Sequence, residues 1–263
     1  MDLGLTNKVA LVAAGSRGLG RAVAEELAAE GASLVLCARD SRTLDETAAS
    51  IAKNSNAHVF AVPADVTITE DIKRVVDTGI ERFGRIDILV TNAGGPPAGR
   101  FEQLTHEQWE EAIRLTLFSA IELTRLVLPG MKERRWGRIL NITSIAVKQP
   151  VDNLILSNSL RAGLTGFART LANEVAADGI TVNNILPGYT RTERLGDLAQ
   201  MMAEKQGISP DEFRGKWEKE IPMGRLGEPR EFAALATFLV SERASYITGT
   251  SIQVDGGWIK SLL

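Results

Sequence analysis

Short, unbroken apolar runs alternate with segments of helical periodicity along almost the whole chain. Residues 9–13, 34–38, 58–62, 86–90, 138–142, 181–185 and 251–254 have the length of strands. Several of these runs are continuous rather than alternating, as parallel strands covered on both faces require. Between them Leu19, Val23 and Leu27 form one helical stripe, and Leu160, Leu164, Phe167, Leu171 and Val175 form a longer one. The order reads βαβαβ, repeated. It predicts an α/β fold with a doubly wound, seven-stranded parallel sheet, right-handed crossovers and helices on both faces.

Helix starts carry their own chemistry. Thr67 with Glu70, Thr105 with Gln108, and Ser209 with Glu212 each have capping-box spacing, the last with Pro210 at the first helical position. No linker, low-complexity tract or internal repeat divides the chain, so one domain over residues 1–263 is expected. The βα rhythm is broken once, at 190–222. There Leu195, Leu198, Met201 and Met202 precede a second stripe of Phe213, Trp217 and Ile221. A connection of this length with its own amphipathic helices is expected to be a lid over a binding site or a packing excursion.

Composition narrows the function classes. Apolar residues at 44% and charged residues at 24% describe a globular chain. Thirty basic against thirty-three acidic residues give a net charge of −3, which offers no general attraction to nucleic acid. The N-terminal apolar run is too short for a membrane span and is not followed by a cleavage site, so the expectation is a cytoplasmic protein without a membrane partner. Cys37 is the single cysteine, and His58 and His106 lie far apart. No metal site is expected from that set.

The first strand runs into a glycine-bearing turn and a helix, "VALVAAGSRGLGRAVAEELAAEG". Gly18 and Gly20 open the helix, where a missing Cβ lets a pyrophosphate approach the backbone and the helix N-terminus stabilises its charge. Placed between strand and helix of a βαβ unit, they indicate a Rossmann-type dinucleotide site. The second strand ends in Ala38-Arg39, and Ala38 stands where a carboxylate would bind a ribose 2′-hydroxyl. Arg39 and Arg17 suit a 2′-phosphate instead, which favours NADP(H) over NAD(H).

These residues, with four further segments, resemble the short-chain dehydrogenase/reductase family, and most of all its 3-oxoacyl-carrier-protein reductase-like branch. The resemblance covers nearly the whole chain. Gly15, Ser16, Arg17, Gly18, Leu19 and Gly20 follow the family's turn, while Ala13-Ala14 replaces its threonine-glycine start. "ADV" at 64–66 matches the adenine-contacting segment, with Asp65 and Val66. "TNAG" at 91–94 matches the loop beside the adenosine ribose, with Asn92, Ala93 and Gly94. "PGYTRT" at 187–192 resembles the loop that holds the nicotinamide carboxamide, with Pro187, Gly188, Thr190 and Thr192. "GTSIQVDGG" resembles the last strand and its oligomer-forming end. Ala14 adds a methyl group at the turn, so either a displaced cofactor or a relaxed loop is expected.

What the resemblance implies for catalysis meets a departure. Family enzymes transfer hydride between a nicotinamide and a carbonyl or alcohol, with a tyrosine acid, a lysine that lowers its pKa, a serine that orients the substrate oxygen and an asparagine that supports a proton relay. Here "NITS" supplies Ser144 at the serine position, but the tyrosine position is Ser157, the lysine position Arg161 and the asparagine position Thr116. No tyrosine lies between Trp136 and Ile185, so no shift of register recovers one. An alkyl hydroxyl is a far weaker acid than a phenol, and a guanidinium does not shuttle protons. Three proton sources stay open: water held by Ser144, Ser157 and Arg161; Tyr189; or a group of the "KQPVDN" segment such as Lys148 or Asp152.

Three functions therefore compete. The first is an NADP(H)-dependent reductase of a small or acyl-chain carbonyl that uses the hydroxyl and arginine pair. The second is a dinucleotide-binding sensor or assembly protein with little turnover. The third is an enzyme of another class reusing the pocket. The cofactor segments favour the first two, and an oxidoreductase leads. The resemblance also implies a homo-oligomer, a tetramer or dimer built through the long helices around 105–130 and 153–177.

Overall fold

The structure is a computed structural model that describes residues 1–262. Seven strands, β1 (Val9–Ala13), β2 (Ser33–Ala38), β3 (Val59–Pro63), β4 (Ile88–Thr91), β5 (Gly137–Ile142), β6 (Ile180–Pro187) and β7 (Ser251–Val254), pair in parallel in the order β3-β2-β1-β4-β5-β6-β7. The helices are α1 (Gly18–Ala29), α2 (Ser41–Ser55), α3 (Thr69–Phe83), α4 (His106–Ile113), α5 (Ser119–Arg134), α6 (Ile155–Val175), α7 (Glu193–Gln206), α8 (Pro210–Glu220) and α9 (Pro229–Leu239).

The continuous apolar runs have the expected physical reason. Ala10 and Val12 of β1 join Leu34 and Leu36 of β2 on one face, packed beneath α1, α2 and α9. Leu11 and Ala13 join Val35 and Cys37 on the other, beneath α3, α5 and α6. Both faces of β1 and β2 are thus withdrawn from water, so both are apolar. Val23 and Leu27 of the first predicted stripe are fully buried on the α9 side, and full burial of a leucine contributes about 2 kcal/mol in transfer free energy.

Local chemistry moves some boundaries. Residues 86–90 read as a strand, but β4 begins at Ile88, because the carboxylate of Asp87 accepts from the amide of Val9 at 3.0 Å and takes the place of a ladder partner there. Thr67 does not cap α3. Asp65 Oδ1 accepts from both the amide and the hydroxyl of Thr67, at 2.9 and 2.8 Å, and this tight Asx turn delays the helix to Thr69 with Ile68 at its N-cap. Thr105 and Gln108 do form a reciprocal capping box ahead of α4. Ser209 accepts from the amide of Glu212 at 3.1 Å, with Pro210 opening α8.

Residues 190–222 fold into α7 and α8 around a small core of their own, centred on Phe213, Trp217 and Ile221. Met201, expected in that stripe, turns to solvent. Between α4 and α5 the backbone widens into one π-helical turn, Arg114–Phe118, so that a single helical run carries a local bulge at Thr116. No helix among the described residues is long and apolar enough to cross a membrane.

Candidate active site and cofactor cleft

The strand order reverses between β1 and β4, and a cleft of about 840 Å³ opens at the carboxyl ends of the strands there. This is where the topology of a doubly wound sheet leaves space for a ligand, since the crossovers on either side diverge. Ala14, Ala38, Ala64, Asn92, Thr143 and Pro187, each at or just past the end of a strand, contribute to its walls.

The glycine turn is held tightly. The amide of Gly15 donates to the carbonyl of Cys37 at 3.1 Å, and an ideal Cβ there would lie 3.2 Å from Leu36 Cδ2. Gly18, at φ +54°, opens α1, and a Cβ on it would meet only the side chain of Thr192, its Cγ2 3.6 Å away. A Cβ on Gly20 would overlap the carbonyl oxygen of Ala14, which fixes the helix against the turn. Ala14 itself takes φ +48°. Alanine thus holds a left-handed conformation that glycine would take freely, at a cost of about 1–2 kcal/mol. Ser16 is buried, and its carbonyl accepts from Thr47 Oγ1 at 2.9 Å; Leu19 lies on the cleft wall.

One end of the cleft is cationic. Arg17, the N-cap of α1, donates to Thr43 Oγ1 at 3.0 Å and stands 3.7 Å from Glu193, while Arg39 is exposed and has no partner among the described residues. Asp40 lies on the same wall, a carboxylate two residues beyond the vacant Ala38 position. It is committed to the cap of α2, accepting from the amide of Thr43 at 2.7 Å, and this bonding with Thr43 holds its carboxyl below the ordinary range.

Asp65 and Val66 line the middle of the cleft, though Asp65 Oδ1 is used within its own turn. Asn92, Ala93 and Gly94 line it as well. Behind this loop the sheet register aligns four polar side chains. Thr91 Oγ1 donates to Asn141 Oδ1 at 2.7 Å, Asn141 Nδ2 to Asn184 Oδ1 at 3.0 Å, and Asn184 Nδ2 to Ser251 Oγ at 3.1 Å. Asn141 and Asn184 are fully buried, so this ladder across β4 to β7 satisfies groups that would otherwise be costly. Strand-by-strand reading did not reveal it, because it depends on which residues face each other.

The loop after β6 divides in two. Pro187 and Thr192 line the cleft, and Thr192 caps α7 by accepting from the amide of Leu195 at 3.3 Å. Gly188 and Thr190 stand behind the wall. A Cβ on Gly188 would sit 2.7 Å from the Cα of Asp255, so this glycine permits close backbone packing, and Thr190 is buried with its hydroxyl on the Gly188 carbonyl at 3.3 Å. Arg194, from the first turn of α7, enters the cleft and had not been picked out in the sequence.

At the far end Arg161 is buried at the carboxyl end of β5. Its Nη1 donates to the carbonyls of Ile142 and Thr143, at 3.1 and 2.8 Å, and its Nε donates to Ser157 Oγ at 3.1 Å. Burial, and secondarily the nearby charge of Arg194, pushes the guanidinium down to about 10, which leaves it cationic at neutral pH. Ser157 is half-buried in the first turn of α6. Ser144 follows Thr143 and caps a short 3₁₀ turn, its Oγ accepting from the amide of Ala146 at 3.1 Å. Thr116 is buried in the π-helical turn, and its hydroxyl has no hydrogen-bond partner among the described residues.

Of the other proton sources, Tyr189 is packed elsewhere. Its ring stacks on Trp217 at 5.1 Å and meets Trp258 edge-on, and burial raises its pKa. Lys148 is held by Gln253 at 2.8 Å, and Asp152 is exposed on a turn.

A parallel sheet with a glycine turn beneath a cleft at its strand-order reversal defines a dinucleotide-binding α/β protein of the doubly wound class. The chain belongs to the short-chain dehydrogenase/reductase family: the family model described as enoyl-(acyl carrier protein) reductase matches residues 13–259. It is 34% identical over 257 residues to the 3-oxoacyl-[acyl-carrier-protein] reductase of Aquifex aeolicus (strain VF5), covering 98% of this chain and 99% of that one. Among solved structures, L-sorbose reductase from Gluconobacter frateurii, complexed with NADPH and L-sorbose, superimposes with a TM-score of 0.96 at 36% identity over 100% of both chains. A 7α-hydroxysteroid dehydrogenase complexed with NADH superimposes with a TM-score of 0.89 at 30% identity, over 100% of this chain and 98% of that one.

Proposed function

We propose that the protein is an NADP(H)-dependent reductase of a small or acyl-chain carbonyl, in which Ser157 and Arg161 stand in for the tyrosine and lysine of its family. The observation that carries this reading is the Arg161–Ser157 hydrogen bond, 3.1 Å long, at the end of β5 where the cleft ends. Arg161 is buried on the cleft wall and its charge is met by three acceptors, which fixes the direction of the Ser157 hydroxyl.

The residues fit a dinucleotide. Gly18 leaves its φ +54° backbone bare at the N-terminus of α1, facing only Thr192, and an added Cβ on Gly94 would meet nothing within 4 Å. Gly15, Ser16, Arg17, Gly18 and Leu19 would hold the pyrophosphate end, with Arg17 and Arg39 on a 2′-phosphate. Asp65 and Val66 would border the adenine, and Asn92, Ala93 and Gly94 its ribose. Pro187 and Thr192, backed by Gly188 and Thr190, would border the nicotinamide, with Arg161 on its ribose. When bound, the dinucleotide supplies the hydride that reduces the carbonyl carbon.

The chain supplies orientation and the proton path. Ser157 Oγ accepts from Arg161, so its own hydrogen is free to point at a substrate oxygen or at a water molecule. Ser144, just past the end of β5, accepts from the amide of Ala146 and keeps a second hydroxyl hydrogen to donate. Arg161 stabilises negative charge developing on the carbonyl oxygen but keeps its protons, so the proton delivered to that oxygen comes from water relayed through the hydroxyls. Thr116, at the asparagine position, is buried with an unpartnered hydroxyl and does not line the cleft, so it is not part of this relay. Residues 190–222 wall the substrate side through Thr192, Glu193, Arg194 and Asp197. A homo-oligomer formed through α5 and α6, working in the cytoplasm, completes the proposal.

Fluorescence titration with NADPH, followed by NADPH oxidation across a carbonyl panel, tests it. Binding with oxidation of NADPH is the expected result. Binding without oxidation across the panel would favour a dinucleotide sensor, and no binding would remove the reading altogether.

A further inference from the structure

Helices α7 and α8 pack chiefly on each other. Among the described residues, every member of their shared core lies between Tyr189 and Leu226 except Trp258, which comes from the chain beyond β7. The Trp258 ring meets Tyr189 edge-on, with centroids 5.9 Å apart and planes at 87°, and Tyr189 in turn stacks on Trp217 of α8. Its indole Nε1 donates to Oε2 of Glu220, the last residue of α8, at 3.3 Å. Trp258 also packs against a separate cluster formed by Ile145, Leu186 and Ile259. Ile145 opens the 3₁₀ turn that Ser144 caps. One side chain thus joins the α7–α8 wall to the residues next to Ser144, without lining the cleft itself.

Local chemistry holds Trp258 in this place. The Asp255 carboxylate accepts from the amides of Gly257 and Ile259, at 3.0 and 2.8 Å, and Gly256 and Gly257 take φ +63° and +87°, which other residues adopt only with strain. The chain so turned runs against the end of α8: a Cβ on Gly256 would lie 2.7 Å from Ile221 Cγ2, and the amide of Met223 donates to the Gly256 carbonyl at 3.2 Å. Towards Ser144, the amide of Lys260 donates to Gln149 Oε1 at 3.5 Å, and Lys148 Nζ donates to Gln253 Oε1 at 2.8 Å. We propose that residues 255–260 form a strap, with Trp258 as a positioning residue that fixes the α7–α8 wall relative to Ser144 and so sets the affinity for the carbonyl substrate. This rests on the reductase reading and deepens it, because Trp258 acts through its neighbours and touches no reacting atom. Dinucleotide binding is spared, since the start of α7 is pinned separately. There the amide of Arg191 donates to the Gly227 carbonyl at 2.8 Å, and the amide of Gly227 to the Tyr189 carbonyl at 3.0 Å.

The test compares Trp258→Ala and Trp258→Phe with the parent, each loaded with NADP⁺. Amide hydrogen exchange in Trp258→Ala is expected to rise over 193–223 and 145–149 and to keep the parent's level over β1, β4 and α1, as when one local tie is cut. In NADPH oxidation the KM for the carbonyl should rise by about 10-fold or more, with kcat changed less and the NADPH dissociation constant close to the parent's. Trp258→Phe, which keeps a ring edge for Tyr189, should recover most of the exchange protection and of the KM. Unchanged exchange over 193–223, or a rise spread over the whole chain, would overturn the proposal. So would an unchanged KM, or a loss of NADPH affinity in step with the KM. If Trp258→Ala does not fold, Trp258→Leu, which keeps apolar volume without a ring, decides on the same readouts. A failure of all carbonyls to oxidise NADPH with the parent would refute the reductase reading alone, because the strap is read by hydrogen exchange without turnover.

Discussion

Arg161 reaches back one helical turn to donate to Ser157 Oγ at 3.1 Å while its Nη1 ties down the carbonyls of Ile142 and Thr143. One side chain thus links the start of α6 to the end of β5 and sets the direction of the serine hydroxyl. The pair has the i, i+4 spacing of a tyrosine and lysine, but with different chemistry: the cation cannot give up its proton and the hydroxyl cannot ionise near neutral pH.

Removing that hydroxyl should slow reduction and leave the fold intact. Ser157→Ala is expected to lower kcat by about 10- to 100-fold, less than a general acid is worth because water remains the proton source. Steady-state NADPH oxidation measures this, with circular dichroism as the control for folding.

Restoring the family pair should raise activity. Ser157→Tyr combined with Arg161→Lys is expected to increase general carbonyl reduction by about 100-fold or more, the range of a positioned acid. No gain in a variant that still binds NADPH would locate the limit in substrate positioning rather than in proton donation.

Ala14 holds φ +48° at the glycine turn. Ala14→Gly relieves the left-handed strain and loses some of that gain to the more flexible unfolded chain, so a net stabilisation of about 0.5–1 kcal/mol is expected. Urea unfolding measures it, and a tighter NADPH complex should accompany it, since the turn lines the cleft.

Arg39 is exposed and on the cleft wall, and it has no partner among the described residues. Arg39→Ala should weaken NADPH binding by about 10-fold and leave NADH binding nearly unchanged, as expected when one charged contact to a 2′-phosphate is lost. Parallel fluorescence titrations with the two coenzymes give the ratio. Equal losses for both would mean that Arg39 does not meet the 2′-phosphate.

Glu231 caps α9 and forms two hydrogen bonds with Arg225, at 2.8 and 2.6 Å, and the bonding with Arg225 lowers its carboxyl from 4.5 to about 2. Because the folded pKa is the lower one, the unfolded chain binds the proton first as the pH falls. The contribution of Glu231 is therefore fully present above about pH 4.5 and disappears as the pH falls towards about 2. Denaturation of Glu231→Gln alongside the parent should show a stability gap that is constant above that range and closes within it.

The sequence by itself determined the layered architecture, because burial of both sheet faces and 3.6-residue periodicity are written residue by residue. Leu11 and Val12 must both be apolar whatever their neighbours are. It also determined the glycine turn and the absence of a tyrosine at position 157, which are properties of single positions. Boundaries such as the start of β4 escaped, since Asp87 acts through Val9, 78 residues away in the chain. Only the tertiary structure decided that Gly188 and Thr190 stand behind the cleft wall and that Tyr189 belongs to an aromatic cluster with Trp217 and Trp258. It alone aligned Thr91, Asn141, Asn184 and Ser251 across four strands and brought Arg194 to Gly95. Each of these depends on the register and packing of segments far apart in sequence, and no local pattern encodes the distance between them.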